Sequence, residues 1–238
     1  KVIGIASTER DITERKKNEL GLKRSNEDLQ QFANVASHDL QEPLRMIASY
    51  LQLIEQRYKG KLDKDADDFI NYAVDGATRM QGLINGLLTF SRVESRGKPL
   101  EPVDTETIFK DALSNLEVVI SENKAVITHD YLPPVIADPP QLMQVFQNLM
   151  INAIKFRGEE APHIHVSAEK KEREYVFSVK DNGIGIDPQY KDRVFVLFQR
   201  LGGVKYFGSG VGLTVCKRIV DRHGGEVVLL PGCSRPRF

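Results

Sequence analysis

Four groups of residues in this chain have the types and spacing to do chemistry. In "QNLMINAIKF", Asn148, Asn152 and Lys155 fall at steps of four and three, on one side of a helix whose other side holds Leu149, Ile151 and Phe156. Amide oxygens placed this way suit a hard ion such as Mg2+ that keeps its waters and phosphate oxygens, and the lysine adds a point charge for phosphate. A solvated helix face carries the same pattern. In "KDNGIGI", Asp181 closes an alternating strand, where its carboxylate accepts from an exocyclic amine, and Gly183 and Gly185 let backbone approach a flat ring or a phosphate. Taken alone, that stretch is equally an Asn-Gly turn. "FGSGVGL" sets Gly208, Gly210, Gly212 and Leu213 at the start of an apolar helix, so amide N–H groups and a helix N-terminus face phosphate oxygens. No Gly-Lys-Ser/Thr follows, which excludes a Walker-type loop and leaves a mobile glycine loop as the alternative. Last, "ANVASHDLQEPLRMI" puts His38 beside Asp39 in a helical pattern, with Pro43 five residues beyond the histidine.

Elements must hold these groups in place. Leu22, Leu29, Phe32, Ala36, Leu40, Leu44, Ile47, Leu51 and Ile54 follow steps of three, four or seven, one seam along a helix that ends near "RYKGKLD". Phe69, Ala73, Ala77, Met80, Leu83, Ile84, Leu87, Leu88 and Val93 repeat the period, so the two helices form a long antiparallel hairpin. Its seam leaves a face uncovered, and a second copy covers it most economically as a dimeric four-helix bundle. "ESRGKPLEPVD" then breaks the pattern and reads as a linker. A helix near 104–123, a strand near 125–131, a helix at 139–156, strands at 163–170 and 174–182 and a helix at 210–225 follow. Their order lacks strict alternation and predicts an α/β sandwich rather than a doubly wound parallel sheet, an α+β chain overall. The expected division is 1–14 as the last strand and linker of an upstream unit, 15–96 as the hairpin and 97–238 as the sandwich.

Composition limits the partners. Lysine plus arginine and aspartate plus glutamate both number 33, which argues against nucleic acid or an anionic membrane held by bulk charge. Cys216 and Cys233 are too few for a disulfide framework or a zinc site and fit a reducing, cytoplasmic setting. No apolar run approaches the roughly 18 residues of a membrane span, although a longer parent protein is free to be membrane-anchored.

In order, an Asn-rich helix, a strand ending in DNGIG and GSGVGL opening a helix resemble the N box and two glycine boxes of the ATP-binding domain of sensor histidine kinases. That domain belongs to the superfamily shared with gyrase, chaperone and mismatch-repair ATPases. The resemblance implies ATP and Mg2+, with Asn152 as the principal metal ligand, Asn148 nearby and Lys155 toward the phosphates. It implies Asp181 on the adenine amine, Gly183 and Gly185 lining the base pocket, and Gly208, Gly210 and Gly212 in a lid. "VFVLFQR" is similar to the F box, with Phe195 and Phe198 at the lid's base and Arg200 as a phosphate contact.

Among such ATPases, only a kinase of this kind needs a histidine in "SHDLQEPL" on a long hairpin. His38 falls about 200° around the helix from Ala36, away from the seam. Phosphorylation needs a neutral ring aimed at the γ-phosphorus and a base for its proton, a role for which Asp39 is adjacent. Pro43 removes one helix hydrogen bond and predicts a bend there. "ASHDLQEPLR" resembles the phytochrome-like subgroup, and "GIASTERDITERKK" resembles the end of a PAS sensor and its exit helix. The resemblance implies a homodimer that autophosphorylates His38 and serves an aspartate in the receiver domain of a response regulator. Two departures stand out. Many relatives carry Thr or Asn four residues after the histidine, but here Glu42 places a charge that repels phosphoryl groups and argues against phosphatase activity. The tail "EVVLLPGCSRPRF" predicts that the last strand is missing or rewritten, which makes a catalytically weak signalling scaffold the second reading and a superfamily ATPase the third.

Overall fold

The computed structural model describes residues 21, 37, 39–172, 174–191, 193–199, 210–229 and 236–237. The expectations for the PAS-like entry, for the seam from Leu22 to Ala36, and for His38, Arg200 and Gly208 lie outside those residues.

Helix α1 spans 39–58 and continues through Pro43 without interruption. After a short turn, α2 covers Lys64–Ser95. Asp63 caps α2, accepting from the Ala66 N–H at 2.8 Å. In the turn Gly60 takes φ +69°, and its N–H is held by the Asp67 carboxylate at 3.0 Å. Leu44 and Ala48 of α1 bury against Ala77 of α2, with Leu51 and Ile84 packed around them. One rung is polar: Gln41 Nε2 donates to Asn85 Oδ1 at 2.6 Å, which sets the register of the two helices.

The stretch read as a linker holds a strand. β1 (Glu101–Val103) pairs antiparallel with β3 (Val135–Ala137) in a two-stranded sheet that the sequence does not announce, because three residues including Pro102 are too few to alternate. The single helix expected near 104–123 divides into α3 (Thr105–Asn115) and α4 (Glu117–Glu122) at Leu116, whose ψ of 5° leaves the helical range. Next come β2 (Val126–His129), α5 (Pro139–Lys155), β4 (His163–Lys171) and β5 (Glu174–Asp181). Two single 3-10 turns, Pro188–Tyr190 and Arg193–Phe195, precede α6 (Gly212–Arg222).

The five-stranded sheet has the order β2-β4-β5-β7-β6, where β6 is Val228–Leu229 and β7 is Pro236–Arg237. β2 runs parallel to β4 and the other pairs are antiparallel, giving the mixed sheet expected of a sandwich. The final strand is therefore rewritten rather than missing. Among the described residues β7 pairs with β5 at Ser178 and Arg237, and β4 and β5 pair from Ile164 and Asp181 to Lys171 and Glu174.

Alternation along β4 and β5 turns Ile164, Val166, Phe177 and Val179 inward, and α3, α5 and α6 cover that face. Phe146 of α5 stands edge-on to Phe109 at 5.3 Å and to Phe177 at 6.2 Å, linking helix, helix and sheet through one aromatic file. The core also takes in Val93, near the end of α2, so the second hairpin helix docks on the sandwich instead of ending in solvent.

Candidate functional site

α5 begins with Asp138 as N-cap and Pro139 at its first turn, a pairing that fixes where the helix starts and hence which residues its last turns present. Leu142, Val145, Phe146, Leu149, Met150 and Ala153 bury one face. The opposite side carries Asn148, Asn152 and Lys155, all half-buried. Ile151 lies outside the buried face expected for it and is exposed, because it faces 100° away from Met150 in the direction of solvent. Lys155 Nζ lies 4.7 Å from the centre of the Phe156 ring, a cation–π contact that holds the ammonium at the end of the helix.

β5 delivers Asp181 next to that helix end. Its Oδ1 accepts from the Gly183 N–H at 2.8 Å, and the Ile184 N–H donates to the Phe156 carbonyl at 3.0 Å, so the turn is closed onto α5. A Cβ at Gly183 would stand 2.5 Å from the Phe156 carbonyl oxygen and 2.8 Å from Asp181 Oδ1. No side chain fits there. Gly185 takes φ +77°, a left-handed conformation that favours glycine. An Asn-Gly turn and a site for a ligand both need glycine here.

The third segment arrives from α6. Gly212 opens that helix, and Asn148 Nδ2 donates to its carbonyl at 3.5 Å. A Cβ on Gly212 would sit 3.6 Å from Asn152 Nδ2. Gly210, at φ +69°, accepts from the Phe198 N–H at 3.2 Å, and Phe198 itself has φ +64°. The F-box end is thereby tied to the glycine loop through backbone, while Phe195 packs on the core and Phe198 stays exposed. Leu213 is packed against the core behind the loop.

The helix ends show what this cleft can hold. α2, α3 and α5 are each capped by an aspartate, Asp63, Asp104 and Asp138, whereas α6, like the six-residue α4, has no side-chain cap, with Val211 at its N-cap. The first N–H groups of α6 lie beside two asparagine amides, and among the described residues no carboxylate caps them. That donor set fits a polyphosphate with its Mg2+: helix N–H groups and Lys155 for phosphate oxygens, amide oxygens for the metal. Within the first turn of α6, Thr214 Oγ1 is buried without a hydrogen-bond partner. Its apolar surroundings gave the sequence no reason to single it out.

On the hairpin, Asp39 and Glu42 are both exposed, on either side of Leu40 and Gln41. The site residues thus fall into two places: Asn148, Asn152, Lys155, Asp181, Gly183, Gly185, Gly210, Gly212 and Leu213 together in the sandwich, and Asp39 on α1. His163 and His165 share one strand face, but His165 is engaged by Thr128 Oγ1 at 2.9 Å and Asp130 at 3.4 Å. Among the described residues no cluster of histidine, cysteine and acidic side chains forms a metal site.

Comparisons with known proteins agree with this layout. Residues 28–96 match the His Kinase A (phospho-acceptor) domain, and residues 137–236 match the Histidine kinase-, DNA gyrase B-, and HSP90-like ATPase family. The chain is 53% identical over 207 residues to Cyanobacterial phytochrome A of Nostoc sp., covering 87% of this chain and 27% of that protein. It is 48% identical to Phytochrome-like protein Cph1 of Synechocystis sp., again over 87% of this chain and 28% of the relative. The chain thus spans little more than a quarter of the curated relatives it matches. In fold it is similar to full-length ShkA in complex with AMPPNP, with a TM-score of 0.61 at 24% identity, over 87% of this chain and 44% of that one. The Acinetobacter baumannii histidine kinase AdeS gives 0.56 at 23% identity, over 84% of this chain and 94% of AdeS. A phospho-acceptor hairpin followed by this ATPase fold is the arrangement of one family, and the chain belongs to the sensor histidine kinases.

Proposed function

We propose that this chain is the kinase core of a two-component sensor, which uses Mg-ATP to phosphorylate His38 and passes the phosphoryl group to an aspartate of a response regulator. The observation that carries the reading is the uncapped N-terminus of α6 set against Asn148 and Asn152. In this scheme Asp181 and the Gly183 turn hold the adenine, Lys155 and the α6 N–H groups hold the phosphates, and Asn152 holds the metal. Bound Mg2+ supplies neutralisation of charge on the phosphates. Arg200 and Gly208 complete the phosphate contacts and the lid by the family resemblance.

The neutral imidazole of His38 directs a ring lone pair at the γ-phosphorus. A nitrogen–phosphorus bond forms, the bond from the γ-phosphorus to its bridging oxygen breaks, and ADP leaves. The proton of the other ring nitrogen passes to Asp39. The phosphoryl group then moves from the phosphorylated nitrogen to the regulator's carboxylate oxygen while Asp39 returns its proton to the other ring nitrogen, so the imidazole leaves neutral.

Homodimerisation has support in the hairpin surface. Leu44, Ala48 and Leu51 of α1 face α2 of the same chain, but Leu40, Ile47 and Ile54 form a second stripe at heptad spacing, exposed by 55%, 51% and 40%. Phe69 and Met80 of α2, also exposed, fall within about 20° of one another around their helix. A second copy buries both stripes in a four-helix bundle. The division at residues 96–97, an upstream PAS-type sensor and a cytoplasmic setting belong to the same proposal. No described helix is long and apolar enough to cross a membrane.

Incubation with ATP labelled at the γ-phosphate tests the reading. Acid-labile label on the wild type and none on His38→Gln is the expected result; turnover without label would mean an ATPase. Absence of both label and turnover would favour the scaffold reading.

A further inference from the structure

The end of α2 is fastened to the sandwich by a polar clasp that nucleotide binding does not require. Its centre is Asp138, only 1% exposed. Besides capping α5, its carboxylate accepts from the Lys98 N–H at 2.6 Å and from Arg222 Nη1 at 3.1 Å. The Arg222 fork also donates to Gln141 Oε1 at 2.8 Å and to the Lys98 carbonyl at 2.5 Å. Gln141 Nε2 in turn donates to the Val93 carbonyl at 2.6 Å. One guanidinium at the end of α6 therefore grips the first turn of α5 and the chain leaving α2. At Gly97 a Cβ would overlap that guanidinium, so the linker passes Arg222 with no room to spare.

What the clasp fixes is the pose of the sandwich on the hairpin. Val211, the residue before Gly212, lies against Gly86 of α2 so closely that a Cβ at Gly86 would collide with its side chain. Arg218 reinforces the contact, with Nη2 at 2.9 Å from Glu94 and its guanidinium over the Phe90 ring at 5.3 Å. The Gln41 to Asn85 hydrogen bond shows which layer of α1 this is: the layer three residues along the chain from His38. In the clasped pose the N-terminus of α6 and the asparagines beside it are docked at the layer of the hairpin marked by Gln41, three residues along the chain from His38. A rotation about residues 96–98 that broke the contact at Gly86 would lift them away from it.

We propose that Arg222 is a positioning residue for autophosphorylation: through Asp138, Gln141 and the Lys98 backbone it holds the ATP-binding domain in the pose that presents nucleotide to the hairpin. The inference rests on the kinase reading for its effect on rate, but the pose itself is measurable without catalysis. Releasing the clasp costs pre-organisation, not nucleotide contacts, since Arg222 lies at the far end of α6 from Gly212.

The test compares Arg222 and Arg222→Gln in full chains carrying Glu94→Cys, Arg218→Cys and Cys233→Ser, bridged by a short bis-maleimide. Crosslinking between positions 94 and 218 should fall several-fold in Arg222→Gln. Without the engineered cysteines, the same substitution should lower kcat for His38 labelling about tenfold, within the range of coupling between sites, at unchanged KM for ATP. Arg222→Lys, which keeps the charge but loses the fork, should fall between. If Arg222→Gln fails to fold, Gly97→Ala displaces the guanidinium while leaving the Asp138 cap and must show the same split. Unchanged crosslinking, an unchanged or raised kcat, or a loss expressed in KM would each overturn the proposal. If the wild type does not label His38, the kinase reading fails, and the crosslinking arm still decides whether the clasp sets the pose.

Discussion

The hairpin and the sandwich bury their apolar residues in opposite ways. Within the described part of the hairpin only Leu44, Ala48 and Ala77 form a buried cluster, while Leu40, Ile47, Ile54, Phe69 and Met80 remain exposed. The sandwich closes a continuous core from Val103 to Val227, with Phe109 and Phe146 fully buried. A region that lacks its own core draws stability from a partner and so depends on protein concentration, whereas a region with one holds its site regardless. The residues proposed to hold nucleotide sit on the second kind of region and the sequence around the proposed acceptor on the first. That division suits the proposed function, in which a rigid binding site acts on an acceptor carried by a separate, less self-sufficient hairpin.

The contrast is sharpest where two substitutions stop the same reaction by different routes. Asn152→Ala removes the proposed metal ligand and should cut His38 labelling by about 10³-fold or more, a loss of several kcal/mol of charge stabilisation. The proposed dimer should be unchanged by sedimentation. Asp39→Asn should slow labelling by about 10²- to 10⁴-fold, because an amide cannot take the ring proton, with nucleotide affinity unaltered in a binding titration. Labelling of Asp39→Asn at the wild-type rate would remove Asp39 as the base.

Stability should divide along the same line. Phe146→Ala opens a cavity between Phe109 and Phe177 and should cost about 3–5 kcal/mol of sandwich stability, lowering its melting transition at any protein concentration. Ile47→Glu puts a charge on the exposed stripe and should dissociate the dimer while leaving that transition in place. A sandwich that melted earlier in the Ile47→Glu protein would show that the two regions are not independent.

How much of this was legible in the sequence depended on length of pattern. The hairpin, α5, β4 and β5 are long enough for periodicity to mark them, and the glycines and asparagines of the cleft are marked by type and order. β1 and β3 are three residues each, and no period can be read from three positions. The exposed stripe at Leu40, Ile47 and Ile54 merged in sequence with the buried one at Leu44, Ala48 and Leu51, since both are apolar and differ only in which neighbour they face. Asp138 stands just ahead of α5 in "ADPPQL", but its grip on Arg222 and Lys98 joins residues 84 and 40 positions apart. Local pattern carries no trace of such a contact.

The smallest expected effect comes from Cys216, and it tests whether the two regions open separately. Burial without a charged partner pushes this thiol up to about 12 from 9.0. Because the folded value is the higher one, its contribution to stability is fully present below pH 9 and is lost as pH rises from 9 toward 12. At pH 8 the folded thiol is almost wholly protonated and lies 1% exposed in the core, so iodoacetamide should reach it only when the sandwich opens. In a Cys233→Ser background, alkylation of Cys216 should be slow in the native protein and complete in denaturant. Phe146→Ala should accelerate it at least about a hundredfold, in proportion to the stability lost, if opening is faster than alkylation. Ile47→Glu, which weakens only the bundle, should leave the rate within about twofold of the parent, because a surface substitution away from the core changes its stability little. If Ile47→Glu accelerates alkylation as Phe146→Ala does, the hairpin and sandwich open as one unit, and the docking of Val93 into the core outweighs the difference in how the two regions are packed.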